Sequence, residues 1–153
     1  MSTEKWDLKF IELAKHISGW SKDTSTKVGA VIVNDSNRII STGYNGFVIG
    51  CDDSIKSRYE KDKKYLYTEH AERNAIYSAA EKGDSTRNAT IYMQLYPCVD
   101  CARAIIQSGI KRVVCTKPDF NNEKWGESWR IAEELFNECG IEVTYMNYDA
   151  HRQ

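Results

Sequence analysis

The chain is predicted to be an α/β protein, with one mixed sheet and helices on both of its faces. A β-hairpin stands near the start, and after it short β-rich runs alternate with helical patterns in the order αββαβαβαβ. That alternation favours parallel strands joined by right-handed crossovers. Composition agrees: 153 residues, 41% of them hydrophobic, with two prolines and nine glycines, fit one domain spanning 1–153 with an ordinary core. No internal repeat, low-complexity tract or linker divides it.

The first element is a helix over residues 5 to about 19, because Trp6, Phe10, Leu13, Ala14 and Ile17 recur at three- and four-residue spacing and Gly19 follows. His16 lies just off that stripe and reads as a packing or surface residue. Ser21 to Thr26 is a polar loop. Val28–Val33 and Arg38–Tyr44 are β-rich and flank the turn Asn34-Asp35-Ser36-Asn37, which makes them a hairpin. Gly43-Tyr44-Asn45-Gly46 closes its second strand, with glycines that permit close ligand approach. From Phe47 to Thr68 no period holds, and the mixed-sign run Arg58 to Lys64 predicts a solvated loop or short helix flanking a site.

His70 then opens a helix that runs to about Lys82, where Gly83 stops it. Thr90–Leu95 is strand-like. Pro97 suits a helix start, so Cys98–Ser108 is the next helix, ended by Gly109. Arg112–Cys115 is a short strand and Lys117–Lys124 a polar loop. Trp129, Ala132, Leu135 and Phe136 mark a last helix, and after Gly140 the segment Ile141–Tyr145 is a last strand.

Charge and cysteine usage narrow the function classes. Twenty-one basic against twenty-two acidic side chains give a net charge of −1 with no block of one sign, so no phosphate-tracking basic face is expected and a small substrate is favoured over nucleic acid. No apolar run approaches the roughly 18 residues that cross a bilayer, and Met1 to Lys5 lacks a signal-peptide layout. Five cysteines, two of them in one Cys-x-x-Cys pair, argue against a disulfide framework. A soluble, cytoplasmic protein is expected.

The chemistry concentrates in two stretches, Thr68 to Ile76 and Tyr96 to Cys101. His70, Cys98 and Cys101 are ligands of the kind zinc prefers, and three protein ligands leave the fourth tetrahedral position open for water. Cys98 and Cys101 are three apart in a first helical turn, so their sulfurs face one way and the helix N-terminus favours thiolates. Glu72 is better placed as acid and base beside a metal-activated water than as a ligand. A structural zinc would need a fourth ligand, yet His16, His151, Cys51, Cys115 and Cys139 do not stand at finger spacing. One zinc per chain is therefore expected.

His-x-Glu with Pro-Cys-x-x-Cys resembles the zinc deaminase signature. Over residues 6 to 145 the chain resembles the deoxycytidylate deaminases of the cytidine-deaminase-like superfamily. The matching segments are Ser21-Lys22-Asp23, Val28–Val33, Gly43-Tyr44-Asn45-Gly46, His70–Ile76, Pro97–Ala102 and Ile105–Ile110. The resemblance implies a three-layer αβα fold with a five-stranded sheet, and conversion of dCMP and water to dUMP and ammonia. It places Asn45 against the nucleotide sugar, the Ala71 N–H against the pyrimidine carbonyl, and Ser21 and Lys22 near the 5′-phosphate. It also implies a homo-oligomer, with a hexamer favoured. Regulation by dCTP and dTTP with Mg²⁺ would run through Gly43, Tyr44, Asn45 and Gly46, with Arg58, Lys61 and Lys64 as available cations. A second structural zinc, held by extra cysteines and histidines in some members, has no ligand set here. The alternatives are a tRNA adenosine deaminase and a deaminase of another cytosine nucleotide such as dCTP; a non-catalytic zinc module would have no use for Glu72.

Overall fold

A computed structural model describes residues 3–146. Helix α1 (Thr3–Ser18) leads into the hairpin β1 (Gly29–Val33) and β2 (Ile39–Tyr44). A short segment β3 (Gly46–Phe47) follows, then two 3₁₀ turns (Lys56–Tyr59 and Lys61–Lys63), α2 (Lys64–Tyr67) and β4 (Thr68–Glu69). Helix α3 (Ala71–Lys82), β5 (Thr90–Met93), α4 (Val99–Gln107), β6 (Arg112–Cys115), α5 (Gly126–Glu138) and β7 (Glu142–Tyr145) complete the order.

The main sheet has five strands in the order β2-β1-β5-β6-β7. β1 runs antiparallel to both β2 and β5, while β5, β6 and β7 are mutually parallel. The expected mixed sheet is present, and its progression in one direction sends the crossovers α3, α4 and α5 to a single face. Ala30, Ile32, Ile91, Met93, Val113 and Cys115 point to that face and bury against Ala75, Ile105 and Phe136. The alternate positions Val31, Val33, Tyr92 and Val114 point to the other, where Phe10, Ile11 and Ala14 of α1 cover them. This period of two along strands and three to four along α1 is what a sheet buried on both faces requires.

Helix α1 is also pinned by charge. Asp7 is only 2% exposed, accepts bonds from Arg112 Nη1 at 2.8 Å and Nη2 at 2.6 Å, and accepts another from the Tyr92 hydroxyl at 2.7 Å. A buried carboxylate needs such partners, because removing one leaves an uncompensated charge.

Between β2 and α3 the 3₁₀ turns and α2 match the loop or short helix expected around Arg58–Lys64, and the stretch also holds a two-stranded ribbon, in which Gly46 pairs with Glu69 and Phe47 with Thr68. Strands of two residues carry no readable period. The expected stop after Lys82 is Gly83, at φ +80°, whose N–H returns to the Ala79 and Ala80 carbonyls.

Candidate active site

Two helix entrances meet at one end of the sheet. His70 is the N-cap of α3 and Cys98 the N-cap of α4, both with extended backbone and neither making a side-chain cap. Ser, Thr, Asp or Asn normally fills that position, worth about 1 kcal/mol to a helix. Here the position goes to side chains that point at each other. Pro97 thus precedes the cap, and Cys101 alone of the two cysteines lies inside the helix.

His70 Nδ1 is 3.5 Å from Cys98 Sγ and 3.4 Å from Cys101 Sγ, and the three ligand atoms lie within 4.8 Å of one another. Tetrahedral zinc, with bonds of about 2.0–2.1 Å to nitrogen and about 2.3 Å to sulfur, needs nitrogen and sulfur about 3.5 Å apart. The donor set fits a metal ion of that kind. Among the described residues no other group of three possible ligands is brought together. Cys51, Cys115, Cys139 and His16 stay outside the cluster, and His151 lies outside the described residues.

The side chains are electrostatically prepared. Cys98 is pushed down to about 4, chiefly by the hydrogen bond from Cys101 and further by His70. Cys101, the donor in that bond and deeply buried, goes up. Glu72 is 6% exposed; burial raises its carboxyl above the usual range, tempered by a hydrogen bond from Cys101 and by the charge of His70. A raised carboxyl holds a proton more readily than an exposed one, as a group that takes and returns protons requires. The first turn of α3 is held from outside by Glu69, whose Oε1 accepts from the His70 N–H at 3.0 Å and from Arg73 Nε at 2.5 Å. The Val99 N–H at the start of α4 donates to Ser128 Oγ of α5 at 2.8 Å.

His70, Glu72 and Cys98 line a cleft of about 330 Å³, within the range of small-molecule sites. Ala71, Asn45, Val28, Leu95, Tyr96, Trp125 and Trp129 line it with them. Asp23, Ser25, Thr26, Lys64, Tyr65 and Lys124 complete its polar lining. Asn45 is 8% exposed; its Oδ1 accepts from the Val28 N–H at 2.9 Å and its Nδ2 donates to the Thr26 carbonyl at 2.8 Å. An amide has a second hydrogen and a second lone pair to offer a ligand. Ala71 begins α3, so its N–H has no intrahelical acceptor.

The remaining expected residues lie elsewhere. Ser21 is buried and does not line the cleft; its hydroxyl donates to the Asn45 carbonyl at 2.7 Å. Lys22 pairs with Asp53 at 3.0 Å on a separate recess of about 90 Å³, which Trp20, Tyr44, Gly46, Phe47 and Tyr59 also line. Gly43 is buried under α3, and the Tyr44 carbonyl accepts from Asn74 Nδ2 at 2.8 Å. Arg58 donates to Cys51 Sγ and the Asp52 carbonyl and covers the Tyr67 ring. Lys61 has positive φ in the 3₁₀ segment. Sequence reasoning missed Tyr65, Lys124, Trp125 and Trp129 as cleft residues. The signal available for the tryptophans was their four-residue spacing at the start of α5, which puts both indoles on one face.

With the geometry in view, the comparisons agree on ancestry. A family model described as the cytidine and deoxycytidylate deaminase zinc-binding region matches residues 4–117. Over 147 residues the chain is 41% identical to an uncharacterized deaminase in the luxG 3′ region of Aliivibrio fischeri, covering 95% of this chain and 96% of that one. Over 142 residues it is 34% identical to the deoxycytidylate deaminase of Homo sapiens, covering 90% and 77% respectively. The crystal structure of dCMP deaminase from the cyanophage S-TIM5 in complex with dCMP and dUMP superimposes with a TM-score of 0.76 over 95% of this chain and 99% of that one, at 23% identity, so it shares the fold. The family match runs from α1 past β6 and takes in His70, Glu72, Cys98 and Cys101, and the chain belongs to the cytidine and deoxycytidylate deaminase family.

Proposed function

We propose that residues 1–153 form one deaminase domain that hydrolyses dCMP to dUMP and ammonia with one zinc per chain. The observation that carries this is the His70–Cys98–Cys101 cluster, with buried Glu72 lining the same cleft. Zinc, when bound there, supplies a Lewis acid that makes water a nucleophile at neutral pH.

The chain's own groups do the rest. Glu72 takes a proton from the attacking water and delivers it to the ring nitrogen next to C4. After C4 becomes tetrahedral, Glu72 carries the second proton to the amine, which leaves as ammonia while C4 becomes a carbonyl. The Ala71 N–H holds the pyrimidine carbonyl, and the spare amide valences of Asn45 hold the sugar. Trp125 and Trp129 keep water from the base by covering it. Ser21 contributes by fixing the Asn45 backbone, to which its hydroxyl donates. Lys22 borders the neighbouring recess, where dCTP or dTTP with Mg²⁺ would act as effector. The support for that regulation is the shared loop: Tyr44 and Gly46 line the recess, and Asn45 between them lines the cleft. Exposed Val48, Ile49 and Leu66 supply apolar surface for self-association, with a hexamer favoured. No helix among the described residues is long and apolar enough to cross a membrane.

The test is an ultraviolet assay of the zinc-loaded protein against dCMP, cytidine, dCTP and a tRNA anticodon stem. Turnover of dCMP with the highest kcat/KM is expected, and a preference for the RNA stem or for dCTP would refute the reading.

A further inference from the structure

We propose that Glu69 and Arg73 form a positioning pair for the metal centre: together they hold the backbone at His70, so that a residue at a helix N-cap is free to serve as a ligand. The inference rests on reading His70, Cys98 and Cys101 as the zinc ligands of the proposed deaminase.

A helix start normally satisfies its first donors in two ways. The N-cap side chain accepts from an N–H in the first turn, and a Glu or Gln three residues later reaches back to the N–H of the N-cap itself. Helix α3 has neither. Its N-cap is His70, whose side chain makes no cap bond and instead places Nδ1 3.5 Å from Cys98 Sγ and 3.4 Å from Cys101 Sγ. Three residues later stands Arg73, whose side chain can donate but not accept.

The missing acceptor comes from the residue before the cap. Glu69 Oε1 accepts from the His70 N–H at 3.0 Å, and the same oxygen accepts from Arg73 Nε at 2.5 Å. The carboxylate takes the place of the side chain that would reach back, and the arginine in that side chain's position holds it there. Their side chains are only 20% exposed for Arg73 and 21% for Glu69, so the pair is shielded from the solvent that makes exposed ion pairs weak. The Glu69 backbone is itself fixed: it pairs with Gly46 in the ribbon, and its carbonyl accepts from Asn74 Nδ2 at 3.4 Å. Arg73 also reaches the other helix start. Its Nη1 lies 3.9 Å from Oδ2 of Asp100 in the first turn of α4, and Arg103 Nη2 donates to Asp100 Oδ1 at 2.5 Å. One charged ladder therefore spans the two helix starts that carry the ligands.

Helix α4 makes the same replacement by other means. Cys98 is its N-cap and makes no side-chain cap, while the Val99 N–H finds its acceptor in Ser128 Oγ at 2.8 Å. Where a ligand takes the cap position, another residue supplies the acceptor. At α3 that residue adjoins the ligand, so its loss acts on the ligand's own backbone.

The test is zinc affinity, read without substrate by competition with a chromophoric chelator. Glu69→Ala and Arg73→Met should each raise the zinc Kd about 10- to 100-fold, the usual effect of removing a group that orients a ligand. Glu69→Gln, which keeps an acceptor oxygen, should lose less. The double variant Glu69→Ala with Arg73→Met should resemble the worse single variant, because both changes break one device. Rescue separates position from charge. Adding Arg73→Gln to Glu69→Ala puts an acceptor three residues past the cap, within reach of the His70 N–H. That combination should bind zinc about 2- to 10-fold more tightly than Glu69→Ala with Arg73→Met, the worth of one hydrogen bond. Thermal melting of the metal-free variants is the structural control. A lowered Tm in Glu69→Ala with an unchanged zinc Kd would make the pair a helix staple only and overturn the proposal. So would a weakened Kd in Arg73→Met with Glu69→Ala at wild type, since the arginine would then act on the sulfurs through its charge. If wild type binds zinc in a Glu69-dependent way yet deaminates no dCMP, the positioning role stands and the proposed reaction falls; a wild type that takes up no zinc overturns both.

Discussion

Gly43 offers a test that links the packing of the fold to its chemistry. A Cβ built on Gly43 would lie 2.4 Å from the Ala71 carbonyl oxygen, 2.4 Å from the Ala75 nitrogen and 3.0 Å from the Ala75 Cα. The first two atoms are the acceptor and donor of one turn of α3, so strand β2 packs directly against a helical hydrogen bond. Backbone cannot rotate away as a long side chain can. To restore ordinary contact at about 3.4 Å, Gly43→Ala must move α3 away from the sheet by about 1 Å. Overpacking of that kind costs about 1–3 kcal/mol. For a chain of this size that lowers Tm by roughly 2–12 °C. The turn that moves carries Ala71 and Glu72 and follows His70, and a 1 Å misplacement of reacting groups costs on the order of 100-fold in rate. Thermal melting of the zinc-loaded protein by circular dichroism, with kcat/KM for dCMP, reads both effects. Gly46→Ala is the comparison for stability, since its Cβ would meet only Tyr44 Cε2 at 3.9 Å, and its Tm should stay within about 2 °C of wild type. A Gly43→Ala protein that melts and turns over like wild type would refute the coupling.

Glu72→Gln should keep its zinc by elemental analysis while kcat falls about 100- to 10,000-fold, because the amide keeps the shape and cannot shuttle protons; near wild-type turnover would remove Glu72 from the mechanism. Elemental analysis should give one zinc per chain in wild type and none in Cys98→Ala, and chelation should abolish activity that added zinc restores; two tightly held zincs would bring Cys51 back as a ligand. Acid stability should depend on Asp23. Burial pushes its carboxyl up, but the Ser25 and Thr26 N–H groups and Lys64 outweigh that and hold it below the usual value of 3.8. A lowered folded pKa means the stabilisation is complete above about pH 4 and is lost as pH falls further. Tm should therefore drop less steeply below pH 4 in Asp23→Asn than in wild type, and parallel acid limbs would exclude Asp23 as the cause.

His70, Glu72, Cys98 and Cys101 were legible from sequence because metal chemistry restricts residue types and a helix start restricts spacing. The five strands were legible because runs such as Val28–Val33 and Arg112–Cys115 are β-branched and bounded by turn residues. Other features depend on meetings that spacing cannot reveal. The Asp7 clamp joins residues 105 positions apart. The cleft lining joins Asp23, Lys64 and Lys124, and each alone reads as part of a solvated loop or short helix. The Gly46–Phe47 ribbon is too short to carry a period, although it tethers the Asn45 loop to the segment leading into His70. Gly43 reads as loop chemistry until the backbone of α3 is placed against it.

The site divides by the kind of support each part has. His70, Ala71 and Glu72 are consecutive, so in the proposed mechanism one helix start would supply a ligand, a backbone donor and a proton carrier, all registered against β2 through Gly43 and against Cys98 through the cluster. A shift of that turn disturbs all three together, which ties the chemistry to the rigid core. Other cleft-lining groups come from the 23–26 loop, from α2 and from the loop before α5, segments that touch one another through side chains such as Lys64 with Ser25 and Lys124 with Tyr65. Changes there leave the registered turn in place. If the proposed function holds, substitutions at the cleft-lining Lys124 or Tyr65 are expected to act through KM, and substitutions beneath α3, such as Gly43→Ala, through kcat.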